Sequence, residues 1–545
     1  MATVYGIDLG TTYSCIAKCD DHQQISPIYP PNALQGGTTL PSVVCFEEET
    51  GKPIVGSPAK NSLGRRGMPE RSISFFKRFM GKEWFPNQIK VGQEKRNISP
   101  VEGAACILHD LLEAANDNEK AAGNLPSKKA VITIPAGFNS KQRMCTKIAA
   151  ELAGIEVLGL VHEPTAAAIS YNIKSGETVL VFDLGGGTLD VSIVKNNRGK
   201  YEVLASAGDH DTLGRYVGGM DWDRLLMDWA IDKAKDLNGY KKGAIPDKAQ
   251  EEAQLLLKAE ECKMALSSNV SADFFFPDFS SVKIKQSDFA KLSTSLIDDC
   301  MRVVKATIDK ADQKHGKIKI DRCVMAGASS NMPMIKTNLS RVLANRIANG
   351  RTESEWLHLV NPHRAIAEGA AKYAYMLEHQ LATDDGIGIL EESRFSYGTS
   401  ISIRREGKVG EQKFIRNLIK ASDPMIFDSK VFKFNPTYDG QKDIDVDIYE
   451  DSSVEERIPL TEDVEPINSE GEKYVFSSKT KVTTKTIIEF VVSRDKDGII
   501  SIKVSCAGHP SKQYTISTAP VSINTKNQIK RSIELMDIMI DEECK

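Results

Sequence analysis

VYGIDLGTTYSC (Val4–Cys15) and VLVFDLGGGTLDV (Val179–Val191) repeat one local pattern in two distant parts of the chain. In each stretch an apolar, β-type run ends in Asp-Leu-Gly and continues with small or hydroxyl residues. A single Asp-Leu-Gly turn is typical of a glycine hairpin with a solvated aspartate. Two turns in the same context predict two related half-sites that meet at one ligand.

Length and composition predict an ordinary globular protein of several folding units. The chain has 545 residues, of which 41% are hydrophobic and 26% charged, and its formal net charge is −4. This charge gives no overall attraction to nucleic acid, and no apolar run is long enough to predict a membrane span. Ten cysteines without paired spacings, and strand pattern beginning at Val4 with no secretory signal before it, predict reduced thiols and a cytoplasmic protein.

The hydrophobic pattern predicts four segments. Strand and helix patterns alternate through residues 1–380, which favours an α/β domain, and residues 381–394 (LATDDGIGILEESR) are typical of a linker. Residues 395–521 alternate as in an all-β sandwich, with SRDKDGI as a hairpin turn. Residues 522–545 predict one short helix with an apolar stripe at Ile529, Ile533, Met536 and Ile540.

The repeated turns suit phosphate recognition. Glycine lets the main chain approach a ligand closely, and backbone N–H groups in a turn bind phosphate oxygens. Asp8 and Asp183 stand just before the turns, where their carboxylates are placed to hold a hydrated Mg²⁺ between phosphates. Neither G-x-x-x-x-G-K-[ST] nor G-x-G-x-x-G occurs. The residues therefore predict a nucleotide site that is neither a P-loop nor a dinucleotide fold.

Several motifs in family order resemble the ATPase domain of the heat-shock chaperones of DnaK type. They are GIDLGTTYSC, LPSVV, IPAGFNSKQR, HEPTAAAISY, VFDLGGGTLDVSIV and NPHRAIAEGAA, and they extend from Gly6 to Ala371. The resemblance implies an actin and sugar-kinase-like, two-lobed ATPase domain around an ATP cleft. Through IRNLIKASDPMIF and FVVSRDKDGIISIKV, residues 395–521 resemble, more weakly, the peptide-binding β-sandwich of the same family.

The resemblance also implies roles for individual residues. It implies that Asp8, Lys77, Glu163, Asp183 and Thr188 serve catalysis, and that Asp8, Asp183, Asp190 and Tyr13 hold Mg²⁺ and K⁺. ATP or ADP would contact Gly10, Thr11, Thr12, Tyr13, Gly185, Gly186, Gly187, Gly218, Gly219, Glu260, Lys263, Ser267, Gly327, Ala328 and Asn331. By residue pattern alone, Lys77 beside Phe75 and Phe76 is typical of a surface lysine.

Further expectations concern partners and coupling. Pro135 and Arg143 match family residues that report the nucleotide state to the linker, although both also suit the end of a strand and the start of a helix. Extended client peptides would bind in an apolar slot, for which the candidates are Phe414, Ile415, Ile419, Phe427 and Val446, each singly more typical of a core. The implied helpers are a J-domain co-chaperone and a nucleotide-exchange factor.

The sequence departs from the family pattern at several places. Met264 and Asn331 stand where the family stacks adenine between two arginines, Ala328 replaces a glycine, and His363 replaces an acid. Losing the arginine stacking predicts weaker ATP binding, by roughly 1–2 kcal/mol. The linker keeps only part of the family's pattern of an acidic residue followed by leucines. The tail is much shorter than the family's helical lid, so the chain is either lidless or truncated.

Two alternatives to an ATP-dependent chaperone stay open on the sequence. One is a specialised regulatory or effector binder that keeps the scaffold with weakened nucleotide control, which Met264, Asn331, the dilute linker and the short tail favour. The other is a sugar or metabolite kinase, which the following β domain disfavours.

Overall fold

The structure is a computed structural model of the chain. It describes residues 3–543 apart from 83–87, 92–93, 237–238, 349–350, 360, 380–387, 391–394, 405–410, 422, 425–426, 452, 454, 462–465, 467–472, 477–480, 496–498 and 516–522. Contacts divide the chain into two compact units. The first is Met1–Gly137, Thr146–Ile389 and Ser522–Lys545, and the second is Phe138–Cys145 and Leu390–Val521.

The strands before the β-rich segment are short. They are β1 (Val4–Asp8), β2 (Tyr13–Cys19), β3 (Ile25–Pro27), β4 (Thr39–Pro41), β5 (Val43–Phe46), β6 (Pro53–Val55), β7 (Ser72–Ser74), β8 (Ile89–Val91), β9 (Glu94–Arg96), β10 (Lys129–Ile134), β11 (Glu156–His162), β12 (Thr178–Leu184), β13 (Leu189–Asn197), β14 (Lys200–Gly208), β15 (Ser271–Phe275), β16 (Ser281–Lys285), β17 (Arg322–Ala326), β18 (Leu357–His358) and β19 (Gly388–Leu390).

Helices alternate with these strands and close the chain. They are α1 (Ser57–Ser62), α2 (Pro100–Ala121), α3 (Ser140–Leu152), α4 (Glu163–Ser170), α5 (Asp209–Leu213), α6 (Gly219–Asp236), α7 (Lys248–Ser268), α8 (Gln286–Leu292), α9 (Thr294–His315), α10 (Pro333–Leu343), α11 (Glu353–Trp356), α12 (Ala365–Glu378) and α13 (Ile523–Glu543). Local signals fix several ends: Ser99 caps α2, Asp247 caps α7, and Gly154, with φ +88°, follows α3.

Two sheets of the first unit have strands in corresponding positions, with β1 and β2 of one matching β12 and β13 of the other. One runs β11-β10-β1-β2-β3, with β4 also on β2, and the other runs β18-β17-β12-β13-β14-β19. In each sheet an antiparallel hairpin (β1–β2 or β12–β13) has parallel strands on one side. The two Asp-Leu-Gly stretches thus lie at equivalent hairpin turns of two similarly built sheets. This agrees with the prediction of related half-sites.

Small residues let α12 and α4 pack tightly behind the first turn. A Cβ added to Gly6 in β1 would lie 1.9 Å from the Ala371 nitrogen of α12, and one added to Gly369 would lie 1.8 Å from the Ala166 oxygen of α4. Backbone contacts this close exclude any side chain at either glycine. The small residues of HEPTAAAISY and NPHRAIAEGAA therefore position β1, which carries the first turn.

The second unit is a β-sandwich, as predicted from its alternating pattern. Its strands are β20 (Ser396–Arg404), β21 (Glu411–Ile419), β22 (Phe427–Phe434), β23 (Asp443–Asp445), β24 (Ile448–Asp451), β25 (Arg457–Pro459), β26 (Lys473–Val475), β27 (Ile488–Arg494), β28 (Ile500–Cys506) and β29 (Lys512–Thr515). They form the sheets β24-β20-β21-β25 and β22-β27-β28-β29, whose inner faces share one core, and the pair β23-β26. The hairpin β27–β28 is confirmed, while residues 496–498 of its turn lie outside the described residues.

The segment predicted to be a linker is in part a strand. Gly388–Leu390 forms β19 and adds to the edge of the second sheet beside β14. Three residues are too short a run to show strand periodicity, and the exposed edge of β14 supplies the hydrogen-bonding partner that the sequence alone could not reveal. Residues 380–387 and 391–394 lie outside the described residues.

The C-terminal helix α13 packs against α2 in the first unit. Ile529 and Ile533 of the predicted stripe are buried, and the carboxylate of the fully buried Glu102 accepts hydrogen bonds from Ser532 Oγ (2.7 Å) and Gln528 Nε2 (2.7 Å). Asp537 Oδ1 lies 2.8 Å from the His109 Nε2 of α2. The helix is therefore held by an apolar stripe and a buried polar contact.

We expect Ile529→Ala to release α13 from α2, because truncating a buried isoleucine costs about 2–5 kcal/mol. Hydrogen exchange of the amides in residues 523–537 is the measurement, and protection should fall while the strands of the first unit stay protected. Lys530→Ala changes an exposed neighbour on the same helix and serves as the control. Equal protection in both variants would contradict this packing.

Two sequence expectations concern the whole chain. Among the described residues, no helix combines the length and apolarity needed to cross a membrane. The cysteines that the structure describes are free thiols buried in the interior, as the prediction of reduced thiols requires.

Candidate functional site

The first turn, Leu9–Thr12, is held by the hydroxyl groups of Ser14 in β2 and of Ser42, which lies between β4 and β5. Gly10 N–H donates to Ser14 Oγ (3.1 Å), and Ser42 Oγ donates to the Gly10 carbonyl (2.8 Å). A Cβ on Gly10 would lie 1.9 Å from the Tyr13 carbonyl, so only glycine fits. The turn thus has a fixed backbone that leaves Thr11 and Thr12 beside the second turn.

The second turn, Gly185–Thr188, meets the first at van der Waals distance. A Cβ on Gly186 would lie 1.8 Å from Thr12 Oγ1, and one on Gly187 would lie 2.3 Å from Thr11 Cγ2. Thr12 Oγ1 is buried and has no hydrogen-bond partner among the described residues. Buried hydroxyls are normally paired, so this orphaned oxygen indicates a ligand between the turns.

Three carboxylates and one lysine lie beneath the turns. Asp8 ends β1, Asp183 lies in β12, and Lys77 forms a buried ion pair with Glu163 at the start of α4. The pattern-based expectation of a surface lysine is wrong: Lys77 is only 4% exposed. A left-handed Phe75 (φ +56°) starts the 3-10 turn Phe76–Phe79 that directs Lys77 inward.

Burial and neighbouring charges shift the pKa values of Asp8, Asp183 and Lys77. Burial, followed by the charge of Glu163, raises the pKa of Asp8 to about 7, and the same causes raise the pKa of Asp183. Burial alone would lower the pKa of Lys77, but the carboxylates of Glu163 and Asp8 outweigh it and raise it. The site holds an ammonium among carboxylates that are costly to ionise together, which is typical of a functional site.

These residues line a single cleft. Both turns, the Lys77–Glu163 pair and Gly327 border it. Among the described residues no three His, Cys, Asp or Glu side chains form a ready-made metal cluster. One or two carboxylates opposite phosphate oxygens nevertheless suit Mg²⁺, which keeps much of its water shell. Asp8, Asp183 and the orphaned Thr12 hydroxyl therefore fit a Mg²⁺–nucleotide ligand.

The profile of the protein family described as "Hsp70 protein" matches residues 4–544. The chain belongs to the Hsp70 protein family. As a member of this family it is an ATP-dependent chaperone that hydrolyses ATP. The family binds ATP and ADP with Mg²⁺.

Curated relatives resemble the chain over most of its length. It is 33% identical over 460 residues to the chaperone protein DnaK of Thermosipho africanus, which covers 82% of this chain and 70% of the relative. It is 31% identical over 550 residues to the chaperone protein DnaK of Thermotoga petrophila, which covers 97% of this chain and 83% of the relative.

Three residues predicted to contact ATP or ADP, Tyr13, Glu260 and Lys263, belong to a polar network beside the turns. Tyr13 donates to Glu260 (2.7 Å), which also pairs with Lys60 (2.6 Å). Lys263 donates to the Gly219 carbonyl (2.9 Å) and pairs with Asp223. Burial would raise the pKa of Glu260, but the charges of Lys60 and Lys263 keep it lowered, so this carboxylate is ionised.

Pattern reasoning missed Lys60 and Asp223, which stand in ordinary helical sequence. Lys60 lies in GSPAKNS and Asp223 in GGMDWDR, where nothing but a charge at helical spacing marks them. Burial is the largest cause that raises the pKa of Asp223, to about 6, although Lys263 opposes it. Ser267, which was predicted to contact ATP or ADP, donates back to the Lys263 carbonyl (3.1 Å).

Met264, Asn331 and His363, which depart from the family pattern in the sequence, lie near or beside the cleft. Met264 is 51% exposed on α7, and Asn331 Nδ2 donates to the Ala328 carbonyl (3.0 Å) across a 3-10 turn. His363 lines the cleft near Ala328, and burial lowers its pKa, so its ring is neutral. Weaker ATP binding stays a prediction.

The remaining predicted residues lie outside the cleft. Asp190 is buried opposite Asp183 in the β12–β13 pair, Pro135 is buried after β10, and Arg143 Nε donates to the Phe138 carbonyl (3.2 Å). The side chains of Ile415, Ile419 and Val446 are buried in the second unit, as core residues are, and Phe414 is half-buried. The side chain of Phe427 lies outside the described residues, so roles in peptide binding and coupling stay predictions.

Proposed function

We propose that MgATP binds with its phosphates between the two turns and that the Lys77–Glu163 pair directs its hydrolysis. One observation carries the proposal: a buried lysine–carboxylate pair lies with Asp8 and Asp183 directly beneath two interlocked glycine turns. Bound Mg²⁺ would neutralise charge on the phosphates, and Asp8, Asp183, Asp190 and Tyr13 would hold Mg²⁺ and K⁺.

The protein's own groups account for the remaining chemistry. Phosphate hydrolysis depends mainly on positioning and charge stabilisation, because the transition state is loose. Lys77 Nζ supplies a fixed positive charge and hydrogen-bond donors, and Glu163 holds that ammonium in place and accepts a proton from water. The N–H groups of the second turn and the Thr11 and Thr12 hydroxyls bind oxygens, while Tyr13, Glu260 and Lys263 hold the ribose side.

The second unit binds extended apolar segments of client polypeptides under nucleotide control. Residues 1–380 form the ATPase domain, 381–394 the connection, 395–521 the peptide-binding domain and 522–545 a short helical tail. A J-domain co-chaperone stimulates hydrolysis and a nucleotide-exchange factor restores ATP. Pro135 and Arg143 pass the nucleotide state towards the second unit. The motif resemblance and the β-sandwich architecture support these roles.

Release of a fluorescent, leucine-rich heptapeptide tests this function. Anisotropy should report faster peptide release after MgATP than after MgADP, and Thr188→Ala should weaken that difference. The exposed Thr337→Ala, on α10, is the control. Replacing K⁺ by Na⁺ should slow hydrolysis. Peptide release that ignores nucleotide, together with failure to refold denatured luciferase, would favour the specialised binder instead.

A further inference from the structure

Each of the three glycine carbonyls of the second turn accepts a hydrogen bond from a neighbouring segment of the protein. The Gly185 carbonyl accepts from Gly219 N–H (3.0 Å) and the Gly186 carbonyl from Met220 N–H (2.9 Å), both at the start of α6. The Gly187 carbonyl accepts instead from the Arg78 side chain, through Nε (2.6 Å) and Nη2. Two of these donors, which we call anchors, therefore belong to α6. The third anchor, Arg78, belongs to the 3-10 turn that also carries Lys77.

Peptide planarity converts these carbonyl contacts into N–H orientations. In a trans peptide the carbonyl of one residue and the N–H of the next point in opposite directions. Anchoring the carbonyls of residues 185–187 therefore turns the N–H groups of Gly186, Gly187 and Thr188 away from their anchors. Among the described residues, the backbone N–H groups of Gly186 and Gly187 have no protein acceptor. These are the donors that a phosphate requires.

Arg78 is held in place by groups that fix its plane. Its Nη2 lies 3.4 Å from Asp221 Oδ2, and its guanidinium carbon lies 5.3 Å from the centroid of the Tyr216 ring. The same Asp221 oxygen accepts from Gly218 N–H (2.7 Å). A planar guanidinium with one carbonyl, one carboxylate and one ring has little freedom to rotate. Burial lowers the pKa of Arg78, while the charge of Asp221 opposes that shift.

We propose that Arg78 is a positioning residue for phosphate binding, which sets the Gly187–Thr188 peptide so that the second turn presents consecutive N–H groups to the nucleotide. Because Arg78 and Lys77 are neighbours on one 3-10 turn, the same segment places the catalytic ammonium and the last amide of the phosphate turn. Loss of Arg78 should therefore weaken contacts to phosphate and spare contacts to the nucleoside.

Calorimetry with ADP and with adenosine on Arg78→Gln tests the proposal. We expect ADP affinity to fall about tenfold or more, as for the loss of a hydrogen bond to a charged group, with adenosine affinity unchanged. Hydrogen exchange of a peptide covering residues 185–190 should rise in the nucleotide-free protein. Arg78→Lys should restore part of both, because it keeps one charged donor but not the planar fork.

Arg224→Gln is the matched control, since Arg224 lies on α6 in an exposed pair with Glu252. It should leave both affinities and the exchange unchanged. If Arg78→Gln does not fold, Asp221→Asn keeps the acceptor for Gly218 and should give a smaller loss of ADP affinity in the same direction. Equal losses for ADP and adenosine, unchanged ADP affinity, or unchanged exchange in residues 185–190 would each overturn the proposal.

Discussion

Lys77→Gln should lower the rate constant of ATP hydrolysis by about 10²–10³-fold, the usual loss when one preorganised transition-state donor is removed. Lys77 is the only cation that the described structure pairs with Glu163 beneath the turns. Its ammonium is held by a buried carboxylate, so no reorganisation is needed during the reaction. Single-turnover hydrolysis measures the loss, and calorimetry should show ADP affinity changed by only a few-fold.

The experiment on Lys77→Gln must separate a loss of catalysis from a loss of folding. Removing Lys77 leaves Glu163 buried without its partner, which can cost about 3–5 kcal/mol. The double variant Lys77→Gln/Glu163→Gln removes that unpaired charge, so it should fold and still hydrolyse ATP slowly. Lys82→Gln changes an exposed lysine of the same segment and should leave the rate unaltered. A rate for Lys77→Gln within a few-fold of wild type would refute the role assigned to the pair.

Asp8→Asn should stabilise the nucleotide-free protein at pH 8 while it abolishes hydrolysis. The pKa of Asp8 lies near 7 in the folded protein and at 3.8 in an ordinary aspartate, so the folded state binds more protons between these values. Stability therefore falls as the pH rises through this window, by about 2–4 kcal/mol for a shift of this size. Asparagine cannot ionise and removes that contribution.

Thermal unfolding from pH 5.5 to pH 8 measures the effect. The stability advantage of Asp8→Asn over wild type should be smallest at pH 5.5 and should grow as the pH rises. The variant itself should still lose stability with rising pH, because the pKa of Asp183 is also raised. Mg²⁺ should stabilise wild type more than the variant at pH 8, since a cation offsets the clustered carboxylates. Asp232→Asn, at an exposed aspartate paired with Lys235, is the control. A stability advantage of Asp8→Asn that shrinks as the pH rises would contradict a raised pKa of Asp8 in the folded protein.

Local sequence was sufficient for much of the α/β unit. The stretch VLGLVHEPTAAAISY forms β11 and α4, with Pro164 in the first turn of the helix, and Gly154, with φ +88°, follows α3. These features depend on residues within a few positions of one another, where propensity and capping act. The repeated turns were found for the same reason, because each is a contiguous stretch.

Long-range contacts were beyond sequence pattern. By its sequence neighbours alone, Lys77 is typical of a surface lysine. In the structure a left-handed Phe75 directs it towards Glu163, which is 86 residues away along the chain. Arg78 gains its role only because Gly187 and Asp221 lie against it. The strand β19 pairs with the edge of β14, and α13 packs on α2 through buried isoleucines and hydrogen bonds to Glu102.

The sequence by itself determined the two Asp-Leu-Gly turns, the alternation of elements, the change to a β-sandwich and the family, because each is recorded in contiguous residues. The tertiary structure decided which charges meet. Burial of Asp8, Asp183 and Lys77 in one cleft with Glu163 raises the pKa of Asp8, Asp183 and Lys77, since desolvation and Coulomb energies depend on distances between residues far apart in the chain.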